Sequence, residues 1–144
     1  MKLLIFISIF IFASVKVQAV LISEIMYDPQ GSDTDKEWIE IYNDTGNVID
    51  FTSWKFFESG VNHGISISSG DRSVQPSGYA IIADNPTKFL IDFPNFNGVL
   101  YDSSFSLSNS GEQLIMKDTS GISIDTVNYV TTIGGNNDGS SLSL

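Results

Sequence analysis

Apolar and polar positions alternate along most of this chain in short runs, the spacing of strands rather than of helices. The clearest run is Glu37–Asn43. Glu37, Ile39 and Ile41 fall on one side of a strand, and Trp38, Glu40 and Tyr42 on the other. Both sides carry large apolar groups, which predicts a strand covered on both faces. Turn-forming residues fence it in, with Gly31-Ser32-Asp33 before it and Asn43-Asp44-Thr45-Gly46-Asn47 after it. Val20–Tyr27 predicts an earlier strand. Later ones are predicted at Val48–Phe51, Trp54–Phe57 and Ile65–Ile67, the last short enough for a sheet edge. Tyr79–Ala83 is almost continuously apolar and is expected deep in the core.

One stretch breaks the strand period. Asn85-Pro86 is a helix start, with Asn85 as N-cap and Pro86 at the first helical position. Phe89, Leu90 and Phe93 would face the core, and Pro94 ends the helix after about two turns. Hairpins then resume. Gln113–Lys117 and Ile122–Tyr129 flank the turn Asp118-Thr119-Ser120-Gly121. Ser108-Asn109-Ser110-Gly111 is another turn, preceded by Phe105 and Leu107 on one face. Gly134–Gly139 reads as a loop, and Ser140–Leu144 as a closing strand whose Leu142 and Leu144 should both face the core. The expected core also holds Trp38 or Tyr42, with Ile39, Ile41, Trp54, Ile81 and Leu114. The class is all-β, with no internal repeat and no second domain.

Several of these pieces, in order, resemble the lamin tail domain family. They are Ser23-Glu24-Ile25-Met26-Tyr27, then Glu37–Asn43, and Ile49-Asp50-Phe51-Thr52-Ser53-Trp54. Pro76-Ser77-Gly78 leading into Tyr79–Ala83, Leu107–Glu112 and Ile124–Tyr129 continue the series. Singly each is a weak signal; the ordered set is specific. The resemblance implies an immunoglobulin-like β-sandwich with one short side helix. It also implies a bacterial-type exported member, since family members without a coiled-coil rod look like accessory modules of exported proteins, sometimes joined to hydrolases. Unlike nuclear lamins, the chain has no heptad rod and no C-terminal cysteine to lipidate. Nuclear scaffold roles are therefore not carried over.

Composition narrows the setting. Met1-Lys2 is a short basic region, Leu3–Val15 an apolar run of 13 residues, and Lys16-Val17-Gln18-Ala19 a more polar end. Val17 and Ala19 satisfy the small-x-small rule, so residues 1–19 read as a signal peptide cut before Val20. The run falls short of the roughly 20 residues that span a bilayer. The expectation is a protein that is secreted, extracellular or periplasmic, with residues 20–144 as its domain and no stable membrane anchor after cleavage. The formal charge is −10, from 7 basic and 17 acidic residues. Removing residues 1–19 takes away Lys2 and Lys16 and no acidic residue, leaving 5 basic against 17 acidic, net −12. A nucleic-acid partner is not expected of such an acidic protein, because phosphates would be repelled. Cysteine is absent, which excludes disulfides, thiol nucleophiles and thiolate metal sites. One histidine excludes a multi-histidine metal centre.

The remaining chemistry rests on carboxylates. Glu24 and Glu40 could act as an acid–base pair of a hydrolase, although carboxylates within strands more often bind amides or line a sheet face. Asp33, Asp35 and Glu37 alternate in a loop and are calcium candidates, since calcium takes oxygen ligands from alternate loop residues. The pattern lacks the glycine and distal glutamate of an EF-hand, Lys36 is an unfavourable neighbour, and a solvated acidic loop explains it as well. His63 reads as a loop residue without a nucleophile. Trp54, Phe56 and Phe57 could stack on a sugar if exposed, but Trp54 and Phe56 share a face and read as core. Asn43-Asp44-Thr45 is an N-glycosylation sequon. Together these features predict an exported, non-catalytic module that binds or scaffolds through an unknown protein or surface partner, without a cofactor. The alternatives are an accessory module of a larger secreted hydrolase, or a carboxylate-based hydrolase in its own right.

Overall fold

The computed structural model describes residues 19–131 and 137–144. The leader over residues 1–18, and Gly134, Gly135 and Asn136 of the expected loop, lie outside the described residues.

The strands, in chain order, are β1 (Val20–Met26), β2 (Trp38–Asn43), β3 (Lys55–Glu58), β4 (Val61–Gly64) and β5 (Ser66–Ser69). They continue as β6 (Tyr79–Ala83), β7 (Val99–Asp102), β8 (Gln113–Lys117), β9 (Ser123–Asn128) and β10 (Leu142–Ser143). Among the described residues one α-helix, α1 (Pro86–Asp92), lies between β6 and β7. Two sheets result, a six-stranded one in the order β10-β1-β2-β6-β7-β5 and a four-stranded one in the order β4-β3-β8-β9. β6 and β7 pair in parallel. A parallel pair needs a crossover between its strands, and α1 supplies it. The helix starts as its sequence demands, with Asn85 Oδ1 accepting from the Lys88 amide at 3.2 Å.

The alternation in β2 sets up two separate cores. Ile39 and Ile41 point between the sheets and are completely buried with Ile25, Ile82, Phe56, Leu114 and Met116. On the other side, Trp38 joins Met26, Ile81, Leu100 and Phe89 beneath α1. Trp38 meets the Phe89 ring edge-on, with centroids 6.0 Å apart. Ile81 is thus buried as expected, but under the helix rather than between the sheets.

Several expectations are corrected. Val48–Phe51 is not a strand: Ile49 makes only an isolated bridge to Val74, and Phe51–Ser53 is a 3-10 turn. Asp50 diverts the chain, its Oδ1 accepting from the Thr52 amide at 2.9 Å and the Thr52 hydroxyl at 2.8 Å. Trp54 is half-buried and packs on Phe51 at the margin of the core. Phe93 ends the helix 41% exposed. His63 lies in β4, not a loop, and β7 has no counterpart among the strands expected from the sequence. Leu142 enters the core, but Leu144 is exposed. A bulge between Ile22 and Glu24 explains the last point, because Leu144 donates to the Ser23 carbonyl where β1 loses its strict alternation.

Candidate functional site

Asp33, Asp35 and Glu37 come together around one cleft. A turn closed by Lys36 N–H donating to the Asp33 carbonyl, with Asp35 in the left-handed region at φ 64°, brings the chain into β2. The three carboxylates line a cleft of about 530 Å³ with Asp84, Phe105, Leu107 and Asn109. Their chemistry differs. Asp33 Oδ2 accepts from the Asn109 amide at 2.6 Å near the surface. Glu37 is only 3% exposed, and its Oε2 accepts from the Leu107 N–H at 2.9 Å.

Burial pushes the Glu37 carboxyl up to about 8; the Leu107 hydrogen bond opposes the rise, while Asp84, Asp33 and Glu112 add to it. Burial also raises Asp84, to about 6, with Asp35 adding to the shift and the amides of Asn85, Glu37 and Asp35 opposing it. One Asp84 oxygen, Oδ1, is buried without a hydrogen-bond partner among the described residues. Asp84 was not singled out from the sequence. It follows the last apolar residue of β6, a position that reads as an ordinary strand end. Among the described residues, no group of three or more Asp, Glu and His side chains is placed to hold a metal ion. What the cleft does visibly is hold Leu107 against β2 through a buried carboxyl group.

Glu24 and Glu40 face each other across β1 and β2 on the outer side of the larger sheet. Hydroxyls partner them: Ser23 Oγ donates to Glu40 Oε1 at 2.8 Å, and Ser141 Oγ donates to Glu24 Oε1. His63 sits inside the β3–β4 hairpin with Nε2 2.9 Å from Oε1 of the buried Glu58. The other Glu58 oxygen, Oε2, is buried without a hydrogen-bond partner among the described residues. Phe56 is core, whereas Phe57 lies on the outer side of the small sheet with Lys117 Nζ 3.6 Å from its ring centre.

A profile of the lamin tail domain matches residues 14–131, most of the chain. The chain belongs to the lamin tail domain family. No curated protein and no solved structure matches it. The all-β sandwich agrees with the family, which is one of non-catalytic immunoglobulin-like domains.

In this lamin tail domain, the stretches that carry the family likeness hold loops in place. Asn43, at the end of β2, is fully buried. Its Nδ2 donates to the carbonyls of Asn47, Val74 and Gln75 at 2.8, 3.0 and 3.1 Å, and its Oδ1 accepts from Thr45 N–H and Thr45 Oγ1. Glu112 plays the same part at the Ser108–Gly111 turn, accepting from the Ser108 amide at 2.7 Å and the Tyr129 hydroxyl at 3.1 Å. The sequon is therefore architectural. A glycan on Asn43 and this fold exclude one another, since its side chain is fully buried and its amide nitrogen is enclosed by three carbonyls. Asn43→Ala would remove the link between the Asn43–Asn47 turn and the Val74–Gln75 segment, although the three carbonyls keep the Thr45 hydroxyl and the Ile49 and Gly78 amides as donors, and is expected to cost about 1–3 kcal/mol. Urea denaturation checks this, with Val48→Ala, at an exposed position just past the loop, expected to fall well below it.

Proposed function

We propose that this lamin tail domain is an exported, non-catalytic module that binds or scaffolds at the cell surface or outside the cell. The observation that carries this reading is the use made of its polar side chains. Glu37, Asn43 and Glu112 are committed to backbone amides and carbonyls, and Glu24 and Glu40 to serine hydroxyls. Side chains held this way are spent on the framework of the fold, the use expected of a binding or structural module.

Two further features support export. The tripartite leader places its cut before Val20, the first residue of β1 and 1% exposed. The acidic surface suits solubility outside the cell. N-terminal sequencing of exported material should begin at Val20, and an intact Met1 on released protein would contradict processing. Purified protein should show no turnover on glycan, phosphoester and peptide panels, and no calcium-dependent rise in melting temperature. Hydrolysis abolished by Glu24→Gln or Glu40→Gln, with folding intact, would make this an enzyme instead. A calcium-dependent rise lost in Asp33→Asn would install a metal site in the cleft.

A further inference from the structure

Helix α1 covers only one end of the outer side of the larger sheet. Beyond it, the paired positions of β1, β2 and β6 form two successive rows. The first is Leu21, Tyr42 and Tyr79; the second is Glu24, Glu40 and Ile81. Ile81 is already buried under the helix, so the second row presents its two carboxylates. In the first row Leu21 is 38% and Tyr79 55% exposed. Tyr42 and Tyr79 stack with ring centroids 4.7 Å apart and an interplanar angle of 33°. Each ring covers one face of the other, and Tyr79 still turns much of its surface to solvent. Among the described residues, no lysine, arginine or histidine pairs with Glu24 or Glu40; their partners are Ser141 and Ser23.

Granting the binding-module reading, on which this rests, we propose that this face docks a basic, arginine-bearing segment of a partner protein. Charge complementarity selects the occupant. The face offers paired carboxylates beside an exposed aromatic stack, on a chain with 17 acidic and 7 basic residues. One basic segment can use both features at once, with a guanidinium laid on the exposed tyrosine pair and a neighbouring basic side chain pairing with the carboxylates of the adjacent row. A lysine ammonium would use the charge but not the planar stack. An acidic or neutral segment would leave the carboxylates without compensation.

The test is titration of hexa-arginine into the protein, followed by amide chemical shifts. Shifts should centre on Leu21, Glu24, Glu40, Tyr42 and Tyr79 and diminish with salt. Glu24→Gln with Glu40→Gln should weaken binding about tenfold. Tyr79→Ala should weaken it about two- to fivefold, and Tyr79→Phe should restore it, because the ring and not the hydroxyl carries the contact. Asp71→Asn, at an exposed position elsewhere, should leave binding within about twofold, as expected of one distant, screened charge. Circular dichroism confirms that each variant is folded.

Equal weakening by Asp71→Asn, or shifts spread over the whole surface, would mean a general counter-charge effect and would overturn the site. So would binding of a neutral β-1,4-glucose hexasaccharide with the same tyrosine dependence and no response to hexa-arginine, which would assign the face to a glycan. Either result, in a protein still inert toward hydrolytic substrates, overturns the basic partner and leaves the module reading standing. Turnover of those substrates would overturn the module reading itself.

Discussion

Replacing Ile39 by alanine is expected to remove about 2–5 kcal/mol of stability, from lost transfer energy plus the cavity left behind. Ile39 has no exposed surface, pairs with Ile25 on one side and Ile82 on the other, and projects into the core between the sheets. Both of its cross-strand partners are held in central strands of the sheet, which limits how far the site can collapse around the smaller side chain. A domain of this size is stable by only about 5–15 kcal/mol. The chain has no cysteine, so no cross-link limits the unfolded state. The urea midpoint should fall sharply at an unchanged slope. Val48→Ala, at a position 54% exposed, should shift it by no more than about 0.5 kcal/mol. Equal effects at the two positions would contradict the packing of the two sheets through β2.

The second large effect is on pH dependence. Glu37 titrates at about 8 when folded, against an ordinary value of 4.5. Between those values the folded protein keeps a proton that the unfolded chain releases. Stability from this group therefore declines as pH rises from about 4.5 to about 8 and is level outside that window. Asp84 adds a smaller decline of the same sign between 3.8 and about 6. Each unit of difference is worth about 1.4 kcal/mol, so Glu37 alone accounts for a loss on the order of 5 kcal/mol across its range. Glu37→Gln keeps an oxygen for the Leu107 amide and removes the titration. The variant should match or exceed the parent above pH 8, and most of the decline between pH 6 and 8 should disappear. Thermal melts across that range measure both. A parent whose stability is flat from pH 5 to 8 would show that the Glu37 carboxyl is not buried as described.

Strand positions were readable where local pattern and packing agree. The alternation in Glu37–Asn43 assigned Ile39 and Ile41 to one face and Trp38 to the other, and both faces of that end of β2 are indeed covered. The Asn85-Pro86 start, the Asp118–Gly121 turn and the lamin tail likeness were legible for the same reason. Each is written in residues a few positions apart, and backbone dihedrals respond to near neighbours. β4 and β7 escaped because Val61-Asn62-His63-Gly64 and Val99–Asp102 directly follow turn-forming stretches and show little alternation of their own, and pairing with β3, β5 and β6 is what makes them strands.

The candidate site was less legible still. Asp33, Asp35 and Glu37 were visible as an acidic run, but nothing local distinguished the solvated Asp33 from the buried Glu37. That difference is made by Leu107, 70 residues away, and by Asp84 beyond β6. The stack of Tyr42 on Tyr79 and the facing of Glu24 and Glu40 likewise depend on strand register. Hydrophobic period and turn chemistry act over a few residues, and the amino-acid sequence by itself determined those. Burial of a charge depends on which distant segments arrive around it, and only the tertiary structure decided that.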